Sequence, residues 1–174
     1  APCPVPVKKA MIDWWGPVLK EYYAGTEGNG FTFISSEEWV GRPGSVGRAL
    51  LGTIHICDED GNEVPPGTAG ELIGKSPTMM SGYKNQPEKT REGYWTDPET
   101  GQVWQRMGDI GRVDEQGFVE RVGRAKDMII SGGFNIYPSD LEAELLKEAG
   151  VVEAAVVGLP SRKWGESPVG FVVL

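Results

Sequence analysis

Two short segments carry side chains whose types suit phosphate and sugar chemistry. The first, Ala24-Gly25-Thr26-Glu27-Gly28-Asn29-Gly30, sets a hydroxyl and a carboxylate among small residues. That density lets a backbone turn tightly and come close to a ligand. At a strand end, the Thr26 hydroxyl, the Glu27 carboxylate and free amides could hold a phosphate and its metal ion. An ordinary glycine-rich turn is the competing reading. The second segment is Trp104-Gln105-Arg106-Met107-Gly108-Asp109. Asp109 lies between Gly108 and Ile110-Gly111, which predicts a strand end with a free carboxylate. A carboxylate accepts two hydroxyl hydrogens, as the vicinal diol of a ribose requires, although a turn aspartate would look the same.

Other chemistries find no support. The sole histidine, His55, sits inside a predicted strand, and no Gly-x-Ser-x-Gly elbow accompanies it. Two distant cysteines and one histidine lack the spacing of a closed zinc site. The net charge of -8 argues against duplex DNA or RNA as a partner, without forbidding a phosphate ligand held by local donors. No apolar run approaches the ~20 residues that span a bilayer. Ala1-Pro2-Cys3-Pro4-Val5-Pro6 lacks the pattern of an export signal, and Cys3 and Cys57 form no disulfide framework, so a cytoplasmic setting is expected.

The elements that must position these residues are short. With 25 glycines and 13 prolines in 174 residues, many turns and brief strands are expected. Val7, Ala10, Met11 and Trp14 predict a helix ending before Gly16-Pro17. Strands are predicted over residues 18–23, 51–57, 70–74 and 118–122, with one or two helical turns from Pro87 to Glu92. Tyr94, Trp95, Trp104 and Phe118 are assigned to the core. After Gly132-Gly133, Ser139 is predicted to cap a helix through a capping box with Glu142, with Leu141, Leu145 and Ala149 on one face and Gly150 at its end. Strands over residues 151–157 and 169–174 follow, giving strand, helix and strand.

Three motifs in order resemble the adenylate-forming acyl-CoA synthetase family, over nearly the whole chain from Val18. Tyr23-Ala24-Gly25-Thr26-Glu27 resembles its Tyr-Gly-x-Thr-Glu motif, with Ala24 for glycine. Met107-Gly108-Asp109 resembles Thr-Gly-Asp, with Met107 for threonine. Residues 123–138 resemble the run that leads from the large domain into a mobile lid. The resemblance implies an α+β fold: the β-rich distal part of the large domain with a barrel-like subdomain (residues 1–123), a hinge (124–127) and an incomplete α+β lid (128–174). It implies that Tyr23 lies against adenine, Thr26 bonds phosphate, Glu27 holds Mg²⁺, Asp109 binds both ribose hydroxyls and Arg124 reaches ribose or phosphate. Lys126 becomes the hinge residue, while Gly132, Gly133 and Trp164 border the pantetheine arm of CoA. Residues 70–83 match a segment whose role is architectural.

The implied reaction converts a carboxylic acid, ATP and CoA through acyl-AMP to acyl-CoA. The family's phosphate loop and lid lysine have no counterpart here, so the expectation is an internal fragment that is inactive alone. The alternatives are an adenylation domain with a carrier-protein or luciferase-like acceptor, and a non-catalytic nucleotide-binding module.

Overall fold

The computed structural model describes residues 3–174; the first two residues of the N-terminal run read for an export signal lie outside them. The chain divides into two compact units. One runs through Met107 and resumes over Gly111–Arg121; the other comprises Gly108–Ile110 and Val122–Leu174.

In the first unit, helix α1 (Val5–Trp15) has a proline in its first turn, which needs no N–H there, and ends at Gly16 with φ 81°. Strand β1 (Lys20–Ala24) pairs antiparallel with β2 (Phe31–Ser35). Helix α2 (Ser36–Val40) follows, then β3 (Ser45–Leu51), β4 (Thr53–Cys57), β5 (Gly70–Lys75), α3 (Pro87–Glu92) and β6 (Tyr94–Thr96). Strands β7 (Val103–Val113) and β8 (Phe118–Arg124) complete a sheet of order β1-β2-β3-β8-β7-β5-β4, with β6 paired to β7. The strand expected over residues 51–57 is broken at Gly52, whose φ of 79° turns the chain between β3 and β4.

Three clusters fill this unit. Val46, Ile56, Leu72 and Val119 form one, with Tyr23 and Met107 against it; Ile34, Trp39 and Phe118 form another; Cys57, Ile73 and Trp104 the third. Trp104 and Phe118 are buried and Tyr94 and Trp95 half-buried, as their sequence assignment to the core requires. His55 is half-buried, packs edge-on against Trp104 with centroids 4.7 Å apart, and sets Nδ1 2.7 Å from Glu63 Oε1. Buried Lys8 pairs with Glu21 and stands 4.6 Å over the Trp39 ring, tying α1 to β1 and α2.

The second unit contains a 3-10 turn (Ala125–Asp127), strands β9 (Ile129–Ser131) and β10 (Phe134–Ile136), helix α4 (Pro138–Leu145), β11 (Glu153–Ser161) and β12 (Gly165–Val173). Its sheet has the order β10-β9-β12-β11, all antiparallel. The capping box expected at Ser139 is not formed. Tyr137 is the N-cap, Pro138 opens the helix, and Ser139 Oγ instead donates to the Val122 carbonyl. Glu142 accepts the Val156 N–H at 2.9 Å, so both polar groups bind α4 to neighbouring strands rather than to its own end. The helix stops at Leu145, before the expected Gly150. A capping box does form at α2, between Ser35 and Glu38, where the sequence reading had placed none.

No helix among the described residues is long and apolar enough to cross a membrane. Burial, reinforced by Glu63, Asp58 and Glu71, pushes the Cys57 thiol from 9.0 up to about 11. A raised folded-state value favours the protonated thiol, so its contribution is complete below the unfolded pKa of 9.0 and is lost as pH climbs through about 11. Urea unfolding between pH 8 and pH 11 is therefore expected to give a midpoint that falls less steeply in Cys57→Ala than in the unsubstituted chain.

Candidate nucleotide site and lid residues

β1 delivers the chain into residues 25–30, which lie beyond the last strand pair, Ala24 with Phe31. Gly28, with φ 70°, turns the loop and donates its N–H to the Gly25 carbonyl at 3.1 Å. The exposed Thr26 hydroxyl donates to Glu27 Oε2 at 3.0 Å. Asn29 is buried, and a Cβ on Gly25 would lie 2.5 Å from its Oδ1. The Asn29 side chain lies against Gly25, and the Thr78 carbonyl lies against Gly28. Tyr23 is half-buried, its ring against the cluster of Val46, Ile56, Leu72 and Val119.

The segment that holds this loop is the one the sequence reading treated as architectural. Ser76 Oγ donates to the Gly28 carbonyl at 2.5 Å and Thr78 Oγ1 donates to the same oxygen at 3.4 Å. The Met80 N–H donates to the Glu27 carbonyl at 2.8 Å. Tyr83 Oη donates to Glu27 Oε1 at 2.7 Å, and that bond to a carboxylate raises the phenol above its ordinary pKa. Gly-Tyr at residues 82–83 was visible in the sequence, but nothing local linked it to a carboxylate so far back in the chain.

In the second unit the structure corrects the placement of Asp109. It lies within β7 rather than at a strand end, and its carboxylate is buried rather than free. Gly108, with φ 69°, interrupts the pleat just before it, so burial along β7 does not alternate there. Arg124, at the end of β8, sets Nε 3.3 Å from Asp109 Oδ1; the arginine side chain is 53% exposed and the aspartate's 6%. The guanidinium thus links a buried acceptor to solvent. The structure brings these two sequence-selected residues together.

Lys126 is exposed in the 3-10 turn. Gly132 and Gly133, with φ 60° and 85°, form the two-residue turn of the β9–β10 hairpin, a geometry that asks for glycine at both places. The Gly132 N–H donates to the Trp164 carbonyl at 2.8 Å, and a Cβ on Gly132 would meet the indole at 2.9 Å. A Cβ on Gly133 would meet nothing within 4 Å. Trp164 is half exposed, with Lys163 Nζ 4.3 Å over its ring.

Two family models match parts of the chain: residues 1–84 match the AMP-binding enzyme model and residues 140–174 match the AMP-binding enzyme C-terminal domain. The chain belongs to this family of adenylate-forming AMP-binding enzymes. It is 37% identical over 172 residues to 2-succinylbenzoate–CoA ligases of Bacillus cereus and Bacillus anthracis, a match covering 99% of this chain and 34% of each relative. ATP-bound MatB from Rhodopseudomonas palustris superimposes with TM-score 0.85 at 34% identity, over 99% of this chain and 33% of that one. The amide bond synthetase McbA from Marinactinospora thermotolerans does so with TM-score 0.84 at 31% identity, over 98% and 35%. The chain therefore spans about a third of the length of the relatives it matches.

The closeness of β5 to the loop can be tested directly. A Cβ on Gly74 would lie 1.9 Å from the Asn29 carbonyl oxygen, a backbone atom that cannot swing aside. Gly74→Ala is expected to cost about 1–3 kcal/mol in urea unfolding and to shift the amide resonances of residues 25–30.

Proposed function

We propose that this chain carries the ribose- and phosphate-binding residues and the pantetheine-facing part of an ATP-dependent acid–thiol ligase. The overall reaction joins a carboxylic acid to CoA through an acyl-AMP. The observation that carries this reading is the Asp109–Arg124 pair, two residues chosen for nucleotide contact that meet at 3.3 Å. Asp109 accepts the ribose hydroxyls, and Arg124 offsets the carboxylate charge while donating to ribose or phosphate oxygens. Tyr23 offers its accessible portion to adenine. Thr26 turns its hydroxyl from Glu27 to a phosphate oxygen, and Glu27 is the carboxylate for Mg²⁺.

The donor set fits that cation. Among the described residues no three His, Cys, Asp or Glu side chains converge as a metal site. Mg²⁺ is commonly held by one or two carboxylates together with substrate phosphates and water, so a lone Glu27 suits a cation that arrives with ATP. When bound, that ion supplies neutralisation of charge on the phosphates. In the first half-reaction the substrate carboxylate attacks the α-phosphorus and pyrophosphate leaves. In the second, the CoA thiol attacks the acyl carbon and AMP leaves. Gly132, Gly133 and Trp164 face the pantetheine arm in that step, and rotation of the backbone at Lys126 moves the lid between the two. The hydrated Lys126 side chain need not be buried in either position. The boundaries at residues 123 and 128 are part of this proposal, as is a cytoplasmic setting, where ATP, CoA and two free cysteines are compatible.

A different acceptor is the second reading, favoured by one observation: the similar fold of McbA belongs to an amide bond synthetase. An amine would replace the thiol there without altering the roles of Thr26, Glu27, Asp109 or Arg124.

Calorimetry with AMP or a nonreactive acyl-adenylate mimic tests the site. Saturable binding is expected, and Asp109→Ala should weaken it about 10–100-fold, as loss of a hydrogen bond to a charged group does. Absence of binding, or unchanged affinity in the folded variant, would overturn the assignment. For the hinge, Lys126→Pro in the ligase bearing this segment is expected to preserve acid-dependent pyrophosphate exchange and lower thioester formation at least tenfold. Equal losses in both would count against a pivot there.

A further inference from the structure

We infer that Tyr83 is a positioning residue for the Glu27 carboxylate, fixing one oxygen so that the other is presented to a divalent cation carried by a nucleotide. The inference rests on the reading of Glu27 as the cation-binding carboxylate. Glu27 has two oxygens with different partners. Oε1 accepts from Tyr83 Oη at 2.7 Å, and Oε2 accepts from Thr26 Oγ1 at 3.0 Å. The two donors differ in freedom. Thr26 is exposed and one side-chain torsion redirects its hydroxyl, so the bond to Oε2 can be exchanged for one to a phosphate.

Tyr83 has no such freedom. Its N–H donates to Thr90 Oγ1 at 2.9 Å, and Thr90 Oγ1 donates in turn to the Gln86 carbonyl at 2.9 Å. The preceding residue is closed in as well, since a Cβ on Gly82 would lie 2.8 Å from Thr90 Cγ2. Lys89 Nζ stands 4.6 Å over the phenol ring. Below it, Tyr94 Oη donates to the Met80 carbonyl at 3.0 Å, and the Met80 N–H returns to the Glu27 carbonyl at 2.8 Å. Backbone, ring and hydroxyl of Tyr83 are thus each held, and the same short loop grips the Glu27 main chain. A carboxylate fastened at Oε1 and at its own carbonyl keeps one orientation when the Thr26 bond is given up. A cation with a single protein carboxylate gains most from such support, because hydrogen-bonding partners of metal ligands commonly change affinity about 10–100-fold.

The test uses Mn²⁺ as probe. Free and bound Mn²⁺ are measured by electron paramagnetic resonance in the presence of ATP, for the unsubstituted protein, Glu27→Gln and Tyr83→Phe. Metal-free AMP affinity is measured alongside. The expected result is loss of protein-dependent Mn²⁺ binding in Glu27→Gln and about tenfold weaker binding in Tyr83→Phe. Metal-free AMP affinity should be unchanged in Tyr83→Phe. If Glu27→Gln binds Mn²⁺ normally, the cation assignment fails and the role of Tyr83 fails with it. If Glu27→Gln loses Mn²⁺ and Tyr83→Phe does not, the positioning role alone is overturned. If Tyr83→Phe weakens metal-free AMP binding as much as Mn²⁺ binding, the hydroxyl is a general prop of the fold and the inference is likewise overturned.

Discussion

The loop after β1 is constrained first by the need to satisfy its own backbone. Residues 25–30 leave a strand and enter no helix, so their carbonyls lack ladder partners and require donors from elsewhere. Ser76, Thr78 and Met80 supply those donors, two of them to the single Gly28 oxygen. The steric conditions are equally narrow. A Cβ at Gly28 would lie 2.1 Å from the Thr78 carbonyl, so contact between the two loops depends on the absence of that atom. Glycine there is required by φ and by space together. Thr26 inherits its placement from this arrangement, and Glu27 joins it through the carbonyl that accepts the Met80 N–H.

The second unit is held together differently. Within residues 128–174, the hydrophobic side chains that reach full burial among the described residues are Ile129 and Val156. Much of its specificity falls to polar bonds between elements. Ser139 binds the Val122 carbonyl, Glu142 takes the Val156 N–H, and Glu166 takes the Ile130 N–H at 2.8 Å. Directional bonds of this sort fix register while adding only about 1 kcal/mol each to stability. Such a unit keeps its internal geometry with little apolar burial. That explains why its helix spends Ser139 and Glu142 on neighbouring strands instead of on its own N-terminus.

Sequence reasoning succeeded where the determining interaction was local. The end of α1 before Gly16-Pro17 and the start of α3 at Pro87 follow from the torsions those residues allow. It failed where a distant partner decided the outcome. Ser139-x-x-Glu142 has the letters of a capping box, yet tertiary acceptors and donors captured both side chains. Ser35-x-x-Glu38 has the same letters and does cap, because Ser35 ends a strand with both groups aimed back at the helix. The glycines flanking Asp109 suggested a strand end with a free carboxylate, whereas Gly108 is an interruption inside a continuing strand. Its pairing with Arg124 depends on β7 and β8 lying side by side, which no window of sequence contains.

The contrast between Thr26 and Tyr83 extends this point to function. Both are hydroxyl donors to one carboxylate, and a catalogue of motifs ranks the neighbour in sequence above the residue far along the chain. Physical constraint ranks them the other way. An exposed threonine next to its acceptor can leave at little cost, which suits a group that must change partners during a reaction. A tyrosine whose backbone is tied to Thr90 and whose ring lies under Lys89 has more to give up on leaving, which suits a group that must stay. A carboxylate with one exchangeable and one permanent partner is oriented in advance, and the ordering cost is met during folding rather than during each encounter with a ligand.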